Sequence, residues 1–225
     1  SSLPICLGYI PVAITFAIIS QAQGIPGFIV MLMSVLVFAG ASQFAAVGML
    51  SAGSVISEII LATFVLNLRH VIFSASLSRR LEKDMGGAWA ALIAFGVTDE
   101  SFATATLQTR DILPRHYLLG LNFAAYAAWV GGTAAGLLLS AFLPQLLKNS
   151  LGIALYALFI GLLIPAVLNS RQAKTVLVLA LAISALLFWV PGLNTIPTGW
   201  RIIISTIVTA GFGALAFPDE KGEQI

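Results

Sequence analysis

Charge is what this sequence has least of: 9% of its 225 residues are Asp, Glu, Lys or Arg, against about a quarter in soluble globular domains. That shortage excludes a water-soluble domain with an ordinary surface. Cysteine is scarcer still. The one present, Cys6, rules out an internal disulfide and any thiolate metal cluster, and its neighbours Pro4, Ile5 and Leu7 give it a packing or lipid-facing position. A net charge of +2 spread over short loops gives no basic patch, so nucleic acid is not an expected partner. No Walker-type glycine loop with Lys and Ser or Thr is found, which removes ATP hydrolysis as a drive. HExxH, a repeated Asp spacing for two metals and Gly-x-Ser-x-Gly are also missing, and no cofactor or metal site is indicated. These gaps weigh against the main alternative reading, an intramembrane enzyme acting on a lipid-linked substrate. No charged n-region or small-residue cleavage site precedes the first apolar run, so no signal peptide is expected.

What the sequence has is apolar length. It is 59% hydrophobic with a mean hydropathy of +1.01. Runs of about 20 residues, each able to cross a ~30 Å hydrocarbon core at ~1.5 Å per residue, recur along the chain. The expected fold is an all-α integral membrane protein, one transmembrane domain over residues 1–225. Spans are placed at 4–22, 28–51, 55–78, 117–141, 150–169, 173–190 and 199–217. Residues 88–108 form a further apolar stretch interrupted by polar residues, read as broken or re-entrant, so seven or eight spans are expected. The bias of Lys and Arg towards cytoplasmic loops puts Arg79, Arg80 and Lys83 inside. It does the same for Arg110 and Arg115 if 88–108 is re-entrant, with Arg171, Lys174 and Lys221 following; Lys148 and Arg201 are exceptions. This places the N-terminus outside and suggests an inverted repeat of residues 1–108 and 117–217. Gly132-x-x-x-Gly136 reads as a helix-packing notch.

Polar side chains at membrane depth carry the functional signal, because a charge at the bilayer centre costs roughly 2.5–3.5 kcal/mol on insertion scales. Three constellations stand out. In the first, Gly40, Ser42 and Gln43 read as a helix interruption in which Ser42 caps a second half-helix, whose free N–H groups suit a substrate carboxylate; the plainer reading is hydrogen bonding to a neighbouring helix. The second is Asn67, Arg69 and His70, with Arg69 nine residues before Ser78, about 13 Å along a helix and too deep to snorkel easily. Arg69 is either half of a structural ion pair or a substrate or proton group. Glu58 shares its helix face but lies near the opposite end and is not its expected partner. In the third, Thr98 or Asp99 caps a half-helix whose first turn carries Asp99 and Glu100. Adjacent helical residues point ~100° apart, so the two acids cannot serve one partner equally. One is expected to neutralise Arg69 while the other handles protons or a substrate amine.

Gly8-Tyr9-Ile10-Pro11, Gly40-Ala41-Ser42-Gln43-Phe44, Leu68-Arg69-His70 and Phe95-Gly96-Val97-Thr98-Asp99-Glu100-x-Phe102, in this order, resemble the AzlC family over nearly the whole chain. That resemblance implies a bacterial inner-membrane exporter of branched-chain amino acids working with a small membrane subunit of the AzlD type. The residues themselves fit a secondary transporter of small zwitterions driven by a proton or ion gradient. The Ser42 break and Arg69 supply donors for a carboxylate, and Asp99 and Glu100 acceptors for an amine, with apolar walls to select the side chain.

Overall fold

The computed structural model describes residues 2–82, 85–144, 160, 161, 163, 164, 167, 168 and 170–217. Every regular element among them is helical: α1 (Leu3–Ala22), α2 (Gly27–Leu36), α3 (Gly40–Ser51), α4 (Ile56–Ser78), α5 (Gly87–Phe95), α6 (Asp99–Thr106), α7 (Arg115–Phe142), α8 (Arg171–Trp189) and α9 (Thr198–Ala216), with a 3₁₀ turn at Leu193–Thr195. Five of these helices, α1, α4, α7, α8 and α9, are long and apolar enough to cross a membrane. Most of the span expected at 150–169, together with Lys83, Lys148 and Lys221, lies outside the described residues. The chain divides into two compact units, residues 1–48 with 66–153 and residues 49–65 with 154–225.

The first unit is built on α1 and α7, which lie side by side and run in the same direction. Cys6 Sγ donates to the Ala124 carbonyl at 3.4 Å. A Cβ on Gly132 would meet the Ile10 carbonyl at 2.9 Å, and one on Gly136 the Ile14 carbonyl at 2.6 Å. The two glycines are thus the packing notch that lets the backbones touch.

Along this pair the stretch expected as one span at 28–51 turns back on itself. A Cβ on Gly27 would lie 3.1 Å from Gln21 Nε2. Phe38 packs on Tyr9 with ring centroids 6.3 Å apart, and Phe44 packs on Phe16 at 5.4 Å. The chain therefore descends α1 in α2, breaks at Val37–Ala39 and climbs again in α3. The single-crossing reading is overturned. Each half measures only about 15–18 Å at ~1.5 Å per residue, half a hydrocarbon core.

The interruption expected in 88–108 falls at Gly96–Thr98, and this stretch also enters and leaves at one end. At the break, His70 Nδ1 is 2.8 Å from the Val97 carbonyl; lower down, Phe73 stacks on Phe102 at 4.6 Å. At the exit, the Arg80 guanidinium donates to the carbonyls of Ala105 and Gln108 at 3.1 and 2.8 Å, and also to that of Arg110. Leu113 N–H donates to the Arg80 carbonyl at 2.8 Å, and Arg115 N–H to Glu82 Oε1 at 3.3 Å. The loops holding Arg79 and Arg80 and residues 109–114 are one surface. Because α7 starts there and α1 runs parallel to it, the N-terminal end of α1 lies at the same end of the unit. The expectation that the N-terminus and the Arg79–Arg80 loop lie at opposite ends followed from counting 28–51 as a crossing.

In the second unit α8 and α9 pack antiparallel, with the Ser184 and Ser205 hydroxyls 3.1 Å apart and Val176 beside Gly213.

Candidate functional site

The two hairpins enter the first unit from opposite ends, and their breaks meet. Phe38 stands at the junction, with ring centroids 6.4 Å from Phe95, 5.2 Å from Tyr126 and 6.3 Å from Tyr9. Its φ of 44° is a left-handed conformation that costs an L-residue about 1–2 kcal/mol, and these ring contacts offset it.

One face of α7 receives both breaks. A Cβ on Gly40 would lie 2.7 Å from Trp129 Cη2, and one on Gly96 would lie 2.5 Å from Asn122 Cβ. Asn122 and Trp129 are seven residues apart, two turns along one stripe. Asn122 Nδ2 donates to the Ile93 carbonyl at 2.9 Å, at the end of α5, and the Tyr126 hydroxyl donates to the Val35 carbonyl at 2.9 Å, at the end of α2. Glycine at 40 and 96 is thus set by the close approach of each break to α7.

At the first break, α3 begins at Gly40, so Ser42 is inside its first turn and is not the cap. Its hydroxyl, 1% exposed, donates back to the Ala39 carbonyl at 2.9 Å. The residue before the helix, Ala39, has no side-chain oxygen, and no acid lies in the first turn. Gln43 is 1% exposed and heads a buried relay. Its Nε2 donates to Ser34 Oγ at 3.2 Å, Ser34 and Thr133 share a hydrogen bond at 2.8 Å, and the Thr133 hydroxyl donates to the Trp129 carbonyl at 2.9 Å. Gln43 Oε1 and Trp129 Nε1 are left buried without a hydrogen-bond partner among the described residues.

At the second break Thr98, not Asp99, is the cap. Its Oγ1 accepts from Ser101 N–H at 3.3 Å while Ser101 Oγ accepts from Thr98 N–H at 2.8 Å, a reciprocal capping box. The two acids that follow diverge as helical geometry requires. Asp99 meets Arg69 on α4, with Nη1 2.9 Å from Oδ2 and 3.0 Å from Oδ1. Glu100 meets α1: the Tyr9 hydroxyl is 2.5 Å from Glu100 Oε2 and 2.7 Å from Thr98 Oγ1. Its single proton serves one oxygen at a time, and the Thr98 hydroxyl can donate to it in turn. On α4, the contact with the Val97 carbonyl requires the proton on His70 Nδ1; His70 Nε2, Asn67 Oδ1 and Arg69 Nε are buried without partners among the described residues.

The structure therefore brings Gly40, Arg69, His70, Thr98, Asp99 and Glu100 to the meeting of the breaks, and gives Ser42 and Gln43 buried places on α3 and Asn67 a half-buried one on α4. Sequence reasoning missed Tyr9, Phe38, Asn122, Tyr126 and Trp129. Tyr9 lies within a quoted motif, but an aromatic residue in an apolar run carries no spacing that marks a role.

A family model described as AzlC protein matches residues 4–143. An uncharacterized membrane protein of Archaeoglobus fulgidus is 40% identical over 73% of this chain and 72% of its own. The inner membrane protein YgaZ of Escherichia coli is 34% identical over 72% of this chain and 69% of its own. The branched-chain amino acid transport protein AzlC of Bacillus subtilis is 24% identical over 84% of this chain and 74% of its own. No solved structure matches.

Proposed function

The chain belongs to the AzlC family, and on that premise we propose that it is a secondary transporter exporting branched-chain amino acids across the cytoplasmic membrane. The observation that carries this reading is the pairing of two half-helix N-termini of unequal charge between opposed hairpins. The N-terminus of α3 has no acid in its first turn, while that of α6 carries Asp99 and Glu100. Free N–H groups and a positive helix end suit a carboxylate; the acids suit an amine. The rings of Phe38, Phe95 and Tyr126 supply apolar walls for a Leu, Ile or Val side chain.

A small membrane subunit of the AzlD type completes the site. Arg69 and Asp99 are 37% and 43% exposed, and Glu100 is exposed beside them. Charges at half depth do not face lipid; they face water or protein, and a partner over this side of α4 and α6 supplies it. The drive is a proton or ion gradient.

Efflux of labelled leucine from proteoliposomes, with the chain and its partner reconstituted and a pH or sodium gradient imposed, tests the reading. Gradient-dependent, saturable efflux that excess isoleucine or valine inhibits is the expected result. Efflux equal to protein-free liposomes under every gradient would overturn it.

A further inference from the structure

A buried acid lies in the second unit. Glu58 occupies the first turn of α4 and is 8% exposed. Among the described residues its Oε2 is buried without a hydrogen-bond partner, and no Lys, Arg or His pairs with it. The first turn of α9 presses directly on it. A Cβ on Gly199 would lie 2.6 Å from Glu58 Cβ, 2.9 Å from Glu58 Oε2 and 2.8 Å from Met49 Cε, so only glycine fits there.

Among the described residues, the charged groups of the elements packed against Glu58 turn elsewhere. On α9, Arg201 is turned to the preceding loop: its Nε and Nη2 donate to the Ile196 and Asn194 carbonyls at 2.6 and 3.0 Å, and it lies over the Phe188 ring. On α8, Arg171 and Lys174 fall at the end that pairs with Val176 and Gly213, away from Gly199. The end of α3 offers Met49 and uncharged neighbours.

We propose that Glu58 binds an exchangeable monovalent cation, a proton or a sodium ion. An ionised carboxylate removed from water and lacking a basic partner is costly, and either cation removes the charge. The first turns of α4 and α9 offset part of that charge, so the cation is held loosely enough to leave. Glu58 is at the end of α4 opposite Arg79 and Arg80, the non-cytoplasmic end by the positive-inside rule. The same helix carries Arg69 eleven residues later. The coupling of Glu58 to export rests on the proposed transport function; cation binding itself does not.

Two readouts separate these claims. In detergent, the thermal midpoint of the purified protein is followed against NaCl, with choline chloride as control, and against pH. The wild type responds to one cation, Glu58→Gln loses that response, and Glu58→Asp weakens it at least threefold. In proteoliposomes, Glu58→Gln keeps leucine counterflow within twofold of wild type and loses at least tenfold of gradient-driven transport. The gradient that drives wild type but not the variant identifies the cation. If wild type and both variants respond alike to sodium and pH, or if Glu58→Gln follows the gradient as wild type does, the proposal is overturned. If wild type shows no counterflow, the transport reading fails and the thermal comparison still decides the cation site. Should Glu58→Gln not fold, an unweakened Glu58→Asp is the overturning result.

Discussion

Arg69 and Asp99, thirty residues apart, close an ion pair at 2.9 Å that fastens α4 to the first turn of α6. It ties the hairpin of α5 and α6 to α4 at the level of the break. Asp99 therefore answers which acid serves Arg69, and Glu100 is released to Tyr9.

Arg69→Leu leaves Asp99 without its cation at membrane depth and should lower stability by about 1–3 kcal/mol, below a fully buried pair because both side chains are partly exposed. Adding Asp99→Leu should recover most of that loss, and adding Glu100→Leu should not. Melting temperatures of the three variants check it; rescue by Glu100→Leu would reverse the assignment.

Gly40→Ala and Gly96→Ala drive a methyl into Trp129 and Asn122 and should each cost about 1–3 kcal/mol by overpacking. Gly48→Ala, where a Cβ meets nothing within 4 Å, is the matched control and should be neutral. Thermal unfolding of the three in parallel is the measurement.

Tyr9→Phe removes the hydroxyl shared by Thr98 and Glu100 while keeping the ring against Phe38 and Trp129. Stability should fall by only about 1 kcal/mol, whereas leucine transport should fall at least tenfold. Transport at wild-type rate would make the contact merely structural.

Sidedness follows from the two hairpins. With Cys6 replaced, single cysteines at Gly24 and Gly53 should react with an impermeant thiol reagent added outside intact cells, and cysteines at Glu82 and Asp111 should not. Outside labelling at Asp111 would mean that 88–108 crosses.

The helical class and the ends of α1, α4, α7, α8 and α9 were readable because apolar runs near 20 residues have one solution in lipid. The cap was readable as Thr98 or Asp99, since both side chains carry an acceptor oxygen at the start of the half-helix, and the structure selects Thr98. Ser42 misled by the same logic: the hydroxyl nearest the break is inside the helix, and Ala39 before the helix offers no cap. The first hairpin was not separable from a crossing by hydropathy alone, since half-helices of ten and twelve residues present the same apolar run as one long one, whereas the polar residues at the middle of 88–108 marked that stretch as broken or re-entrant. Direction is set by contacts such as Phe44 with Phe16, and Arg80 with the carbonyls after α6, which no local pattern encodes.

The central claim is that an apolar amino acid binds where the two breaks meet, its carboxylate at the start of α3. Substrate protection of a cysteine at Ala41, in a background lacking Cys6, tests it most directly. Leucine should slow modification of that cysteine by a small permeant thiol reagent at least fivefold, with lysine and glutamate ineffective. A modification rate that leucine leaves unchanged, in protein that still transports leucine, would place the substrate elsewhere and contradict the account.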